Sequence, residues 1–450
     1  MTSTGSIATS PTEVVRSYLA ISGLFTLSAS VIWGVNTLFL LDAGLDIFEV
    51  FVANAAYTAG MVLFEIPTGV VADTSGRRRS FLWSTVVLLA GTIGYLASAV
   101  LDGGLLAFVV ASLVLGLGFS FYSGAVEAWV VDALAASGYE GELDPVFARG
   151  AMVSGTAEVG GAVVGGLLAT IDLAVPFVVR SGLLVGVFAV GTLRMHDIGF
   201  VPRATRPSAM PAEMKLVLRA SVTHGWRNRA VRLIMIVSLV QGAFLLWAFY
   251  AWQPYFLDLL GNDSVWVGGI IAALVAGAAI AGNGLVDVVS RFCHKRTTLL
   301  LWSCAVLSAA SVGVGVVDSF WLAVPLFLVA MGATGVAAPV QQAYLHAVVP
   351  SEQRATVISS VSLVESAGGI GGSLGLGYLA RAQSVAAGYV TGGLLCLVAV
   401  PPLALLRRMR QRADVIVGRR AGLQGPCGGQ GLPTISSVDT TARRPEPAAV

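Results

Sequence analysis

Long apolar runs alternate along the chain with short polar interruptions. Runs of about twenty residues, the length a helix needs to cross a hydrocarbon core, fall near 18–41, 47–72, 80–101, 105–134, 149–170 and 174–194. A second set falls near 232–257, 265–288, 298–317, 320–346, 355–379 and 384–406. The interruptions carry Asp, Gly, Pro or Ser, as at Asp102-Gly103-Gly104 and Asp318-Ser319. One polar stretch, 195–231, is longer than the others and separates six runs from six. The pattern predicts an all-α integral membrane fold of twelve transmembrane helices in two six-helix bundles, 18–194 and 232–406. Outside the bundles it predicts a tail over 1–17, a cytoplasmic linker over 195–231 with a short surface helix at 211–224, and a disordered tail over 407–450.

Composition agrees. Hydrophobic residues make up 56% of the chain and charged residues 12%, with a mean hydropathy of +0.82; a soluble domain carries roughly 25% charged residues. The 53 glycines suit close helix approach in lipid. The net charge of +2 hides an asymmetry. With the N-terminus inside, all but two of the 27 Lys and Arg fall on the inner side, the exceptions being Arg180 within span six and Arg381 in an outer turn. The outer turns carry Asp42, Asp46, Asp102, Asp172, Asp258, Asp263 and Asp318 instead. The positive-inside rule then predicts a multi-pass protein of the cell inner (plasma) membrane with both termini cytoplasmic. The first apolar run lacks a basic leader and is read as a retained span, not a signal peptide. Cys293, Cys304, Cys396 and Cys427 show neither metal nor disulfide-framework spacing, so free thiols and no metal are expected. No nucleophile, phosphate-loop or nucleic-acid motif is visible, so neither an enzyme, an ATP-driven pump nor a nucleic-acid partner is expected.

Charge inside the apolar runs carries the candidate chemistry. Glu65, Gly69 and Asp73 share one helical face and lead into Arg77-Arg78-Arg79. The halves repeat weakly: at an offset of 214, Asp73 meets Asp287 and Arg77 meets Arg291, while Ala157-Glu-Val-Gly-Gly161 matches the start of Val364-Glu-Ser-Ala-Gly-Gly369. Two-bundle transporters with a site at the bilayer midplane are built from such repeats. The stretch Gly69-Val-Val-Ala-Asp73-Thr-Ser-Gly76-Arg77-Arg78 resembles the signature loop of the major facilitator superfamily, Gly-x-x-x-Asp-Arg-x-Gly-Arg-Arg/Lys, with Thr74 in place of the first Arg. The resemblance extends over 15–410. Glu65-Ile-Pro-Thr-Gly69 and Ser123-Gly-Ala-Val-Glu127 resemble a bacterial drug-efflux-like, multidrug subgroup. Gly161-Ala-Val-Val-Gly-Gly166 keeps the glycines but not the proline of the Gly-Pro-x-x-Gly-Gly motif of proton-coupled antiporters, and span four lacks their usual Arg.

The resemblance implies secondary active transport by alternating access, with a cavity lined by spans one, four, seven and ten. Substrate-cavity candidates on those spans are Trp33, Asn36, Tyr122, Gln241, Trp247, Gln341 and Tyr344. Aromatic rings with a few amides suit hydrophobic or amphipathic solutes, and no Lys or Arg cluster is present there for multiply anionic ones. A gating latch is expected from Gly69, Asp73, Gly76, Arg77, Arg78 and Asp132. In it Asp73 sits at the N-terminus of span eleven, Arg77 and Arg78 pair with Asp132, and the bonds break when the cavity opens inward. Proton-coupling candidates are Glu127, Glu365, Glu158 and Glu65. Glu158 and Glu365 lie nine to eleven residues into their spans, ~13–16 Å at the helical rise and close to the midplane. Span four is expected to align Gly116, Ser120, Ser123 and Glu127 in one stripe, and Arg180 to snorkel to the outer surface or to pair with a buried acid. The function expected is proton-coupled efflux of hydrophobic or amphipathic small molecules by a monomer in the lipid bilayer. The proton gradient drives it and no cofactor is needed. The alternatives are an importer or facilitator of a neutral nutrient, or a membrane sensor that transports nothing.

Overall fold

The computed structural model describes residues 10–202, 226–261, 264–350 and 353–416. The helix expected at 211–224, Asp263 and residues 1–9 and 417–450 lie outside them. The N-terminal half comprises α1 (Pro11–Ser30), α2 (Asn36–Asp42), α3 (Ile47–Ser75), α4 (Arg77–Val100), α5 (Gly104–Tyr122), α6 (Ala125–Ala136), α7 (Asp144–Leu168) and α8 (Val175–Arg194). The C-terminal half comprises α9 (Arg229–Leu260), α10 (Trp266–Ser290), α11 (Arg296–Val316), α12 (Phe320–Val348), α13 (Arg354–Ala382), α14 (Val385–Cys396) and α15 (Val400–Arg408). Eleven helical segments among the described residues are long and apolar enough to cross a membrane, with α5–α6 and α14–α15 each counted as one. The twelfth span is α1 with α2, interrupted at 31–35.

Local sequence explains several starts and breaks. Ser10 with Glu13, and Asp46 with Glu49, form reciprocal capping boxes that open α1 and α3. Helix α1 therefore begins within the stretch read as a tail over 1–17. Span four breaks at Ser123-Gly124, where Gly124 takes a φ of +74° that other residues rarely adopt. The break removes the continuous stripe expected there. Gly116 packs on Tyr57 and Gly60 of α3, and Ser120 is buried 2.7 Å from the Thr68 hydroxyl.

Within the N-terminal half α3 and α4 pack on α5, α7 on α1, and α8 on α4. In the C-terminal half α13 packs on α9, α12 on α10 and α11, and α14 on α11. The repeat read in sequence is a packing device. Gly161 and Gly165 of α7 lie against Ser30 and Val31 of α1, while Gly368 and Gly372 of α13 lie against Leu239 and Ala243 of α9. A Cβ at Gly165 or Gly372 would overlap the facing backbone carbonyl, so only glycine allows these approaches.

The two halves meet along α7–α10 and α3–α13. Several contacts between them lie near the end that carries the aspartate-bearing turns, here the acidic end. There Arg381 pairs with Asp46 at 3.3 Å, Gly377 lies against Phe51, Phe48 meets Tyr378 edge-on, and Gly166 lies against Gly269. At the opposite, basic end the halves diverge. Gly69 lies eighteen residues from Phe51, five full turns at ~3.6 residues each, so both sit on the same face of α3. Phe51 is fully buried, whereas a Cβ at Gly69 would meet nothing within 4 Å, and Glu65 beside it is exposed.

The polar segment after each bundle docks on the basic end. Asp197, beyond α8, accepts the Arg78 N–H at the start of α4, 2.8 Å away. Asp414, beyond α15, accepts the Thr297 N–H at 2.8 Å and the Thr297 hydroxyl at 3.0 Å at the start of α11. Each aspartate caps the third span of its own bundle. Tyr344 donates to Gln411, and Lys295 pairs with Val415. Residues 407–416 are thus part of the folded unit and not of the disordered tail expected from 407.

Candidate functional site: a central cavity and its charged wall

The larger cavity, about 540 Å³, occupies the basic half of the C-terminal bundle. Gln241 of α9, Asn283 of α10, Ser303 of α11, Gln341 and Gln342 of α12, and Ser362 and Glu365 of α13 supply its polar groups. Apolar lining comes from Leu245, Leu307, Leu345 and Val361. The Gln341 amide donates to the Ser238 hydroxyl at 2.8 Å, which fixes its orientation. Glu365 is the one carboxylate in this wall, and it is exposed to the cavity.

Glu158 holds the corresponding place in the N-terminal repeat. It sits on α7 between the face that meets α1, through Gly161 and Gly165, and the face that meets α10, through Ala162 and Gly166. It is half-buried. Glu65 lies on the α3 face that diverges from α13. Glu127 stands exposed in the first turn of α6, where the helix dipole favours a carboxylate.

A second, smaller cavity of about 100 Å³ lies at the seam of the halves. Trp33 and Asn36 line it together with Asn54, Tyr57, Tyr95 and Arg180, and Phe249 and Tyr250 of α9 close it from the other half. The seam itself is stitched by Gln253. Its side chain accepts the Thr37 N–H at 2.8 Å and donates to the Trp33 carbonyl at 2.8 Å, while the Thr37 hydroxyl donates to the Tyr250 carbonyl at 3.0 Å. The break in span one frees backbone groups, and a glutamine from the facing helix satisfies them.

Three cavity candidates stand elsewhere. Trp247 is fully buried among Phe51, Phe244 and Tyr389, because on α9 it points away from the face that carries Gln241 and Leu245. Tyr344 is buried, bonded to Gln411 at 2.9 Å, and not part of the cavity lining. Tyr122 stacks on Phe25 with ring centroids 3.5 Å apart. Arg180 does not snorkel. It is only 8% exposed, and its Nε has no hydrogen-bond partner among the described residues.

At the basic end Arg77 pairs with Asp73 at 2.6 Å and approaches Asp132 to 3.9 Å. Arg78 departs from the expected pairing. Its guanidinium donates to the Thr192 carbonyl at 2.9 Å, and its backbone meets Asp197. Gly76 lies against the same Asp197 carboxylate. Asp73, Arg77 and Asp132 all belong to the N-terminal half, so these contacts persist while the halves are apart at this end. They brace one bundle in this state, and of the two pairings expected with Asp132 only that of Arg77 is formed.

The family described as Major Facilitator Superfamily matches residues 18–372. The chain belongs to the major facilitator superfamily. No curated protein sequence matches it. Among solved structures it is similar to a variant of the nucleoside transporter NupG, with a TM-score of 0.72 and 12% identity over 88% of this chain and 100% of that one. It is also similar to an auto-inhibited POT family peptide transporter, with a TM-score of 0.70 and 13% identity over 90% of this chain and 98% of that one. The POT family transporter PepTSo is a third, with a TM-score of 0.68 and 14% identity over 88% and 99%. At such identities the likeness is one of fold. This major facilitator is a multi-pass membrane transporter of two pseudo-equivalent bundles, with one cavity inside the C-terminal bundle and a smaller one at the seam.

Sequence reasoning missed Gln253, Asp197 and Asp414. Gln253 sits in an apolar span, a placement that signals a required partner. The two aspartates each follow the last span of a bundle and cap helices far from them in sequence, so no local cap pattern marked them.

Proposed function

We propose that this chain is a proton-coupled secondary transporter that exports hydrophobic or amphipathic small molecules by alternating access. The observation that carries this reading is Glu365, a carboxylate exposed in an amide-lined cavity midway along a span, with Glu158 in the equivalent position of the other bundle. A carboxyl group at such a depth can load a proton on one side and release it on the other as its exposure changes. The basic end faces the cytoplasm by the positive-inside rule, so the cavity described is the cytoplasm-facing one. Rocking about the seam at Gln253 would close it and part the acidic end. The amides hold polar groups of a solute, while the apolar wall accepts its body.

The reading is tested in proteoliposomes with an imposed pH gradient. A fluorescent amphipathic solute should accumulate against its gradient only while the proton gradient stands, and an uncoupler should abolish this. Uphill movement that survives the uncoupler would exclude proton coupling. Movement in the same direction as the protons would make the chain an importer.

A further inference from the structure

We propose that Arg180 is an anion-recognition group at the seam cavity and that the cargo is an amphipathic solute bearing a single negative charge, of the carboxylate class. This rests on the transport reading above and narrows its substrate. Arg180 stands six residues into α8 and is only 8% exposed, and its Nε finds no hydrogen-bond partner. Among the described residues no carboxylate forms an ion pair with it. A guanidinium cannot shed its proton at any working pH, so its burial without a counter-ion is costly. The cavity it lines supplies the place for one.

The other polar groups there sort by what they still offer. Asn36 donates its amide to Asn54, and Asn54 donates to the Val50 carbonyl, so both side chains are engaged. Tyr95 is engaged with Ser112. Tyr57 and Tyr250 line the cavity, and their hydroxyls make no hydrogen bond among the described residues. A guanidinium that lines one cavity with two phenols offers the donors that the planar, two-oxygen carboxylate accepts.

Charge count and size narrow the ligand further. Arg180 is the sole Lys or Arg deep within a span, so one negative charge is compensated and a phosphate dianion is not. The volume of about 100 Å³ is below the ~150 Å³ void that holds benzene, so the site takes the anionic head and a short stem. The body of the solute would extend past Trp33 and Phe249. Because Tyr250 comes from the opposite half, a bound carboxylate would contact both bundles and bias their rocking.

The test uses the full chain in lipid nanodiscs, with 2-naphthoate, its neutral amide 2-naphthamide, chloride and inorganic phosphate as separate probes. Quenching of tryptophan fluorescence and thermal shift report binding. Naphthoate should bind about tenfold or more tightly than the amide, the scale of one charge-assisted hydrogen-bond pair. Arg180→Gln should erase that preference and Arg180→Lys retain part of it. Equal binding of acid and amide by the unaltered chain overturns the proposal without any variant, as does a preference that survives Arg180→Gln. Chloride or phosphate stabilising the chain as well as naphthoate would make this an inorganic-anion site and also overturn it. In proteoliposomes, transport of neutral dyes with no carboxylate binding sinks this inference alone. Absence of any transport, with the naphthoate preference intact, sinks the transport reading instead.

Discussion

A carboxylate within an apolar helix persists where a cavity or a partner receives it, and Glu365 has the cavity. Glu365→Gln keeps the size and hydrogen-bonding capacity of the side chain but cannot carry a proton. Substrate-dependent proton movement in energised inverted vesicles should therefore fall at least tenfold, while solute binding persists. Full retention of proton movement would remove Glu365 from the coupling role. Glu158 is the natural second substitution, because the repeat gives it the same place on α7. Trp247 provides the contrast. Enclosed by Phe51, Phe244 and Tyr389, it is a packing residue, so Trp247→Ala should cost about 3–5 kcal/mol of stability. A lowered melting temperature with unchanged solute affinity in the surviving folded protein would distinguish it from a cavity residue. In sequence Trp247 and Gln241 looked alike, since both sit on span seven. Only their angular positions on α9 separate them.

At the scale of elements, the interrupted first span depends on a residue from the other half. Gln253→Leu leaves the Trp33 carbonyl and the Thr37 N–H without their partner inside an apolar seam, and each orphaned group costs about 1–3 kcal/mol. The variant should lose thermal stability and favour the state in which the seam is wet, seen as increased labelling of cysteines placed at the acidic end. Unaltered labelling and melting would show that the break in span one needs no such support. The caps on α4 and α11 are a milder device. Asp414→Ala removes an N-cap that also holds the Thr297 hydroxyl, and about 1 kcal/mol is expected from the cap alone. Protease sensitivity of residues 409–416 should rise with it. The spans themselves were legible because a helix of about twenty apolar residues has no alternative in lipid. Their breaks at 31–35 and at Ser123-Gly124 were not, because hydropathy averages over a break that a neighbouring helix repairs.

Across the whole molecule, the bundles touch at the acidic end and part at the basic end, and alternating access requires that this relation invert. Asp46 and Arg381 lie across the two halves at 3.3 Å. In a background lacking the native cysteines, Asp46→Cys with Arg381→Cys should be bridged by a bifunctional thiol reagent, which holds the acidic end shut. Transport should stop on cross-linking and continue in the untreated variant. Transport that continues with the cross-link formed would show that α3 and α13 need not separate there. Asp73→Asn tests the basic end: with Arg77 left only its 3.9 Å approach to Asp132, interconversion of the two states should slow while solute affinity holds. Unchanged turnover would reduce the cluster to a topological anchor.

The sequence by itself determined the number of spans, the repeat of the halves and the superfamily. Those properties follow from apolar length, from charge placed at span ends and from short loops, all local along the chain. It also placed Glu365 and Glu158 near mid-span, because helical rise converts residue count directly to depth. Tertiary structure decided which side chains meet. Arg180 lines a cavity at the seam and does not reach the outer surface, Asp197 and Asp414 return to cap helices more than a hundred residues earlier, and Gln253 spans the seam. Each of these depends on the rotation of one helix against another, which close glycine contacts constrain and which no single apolar run records.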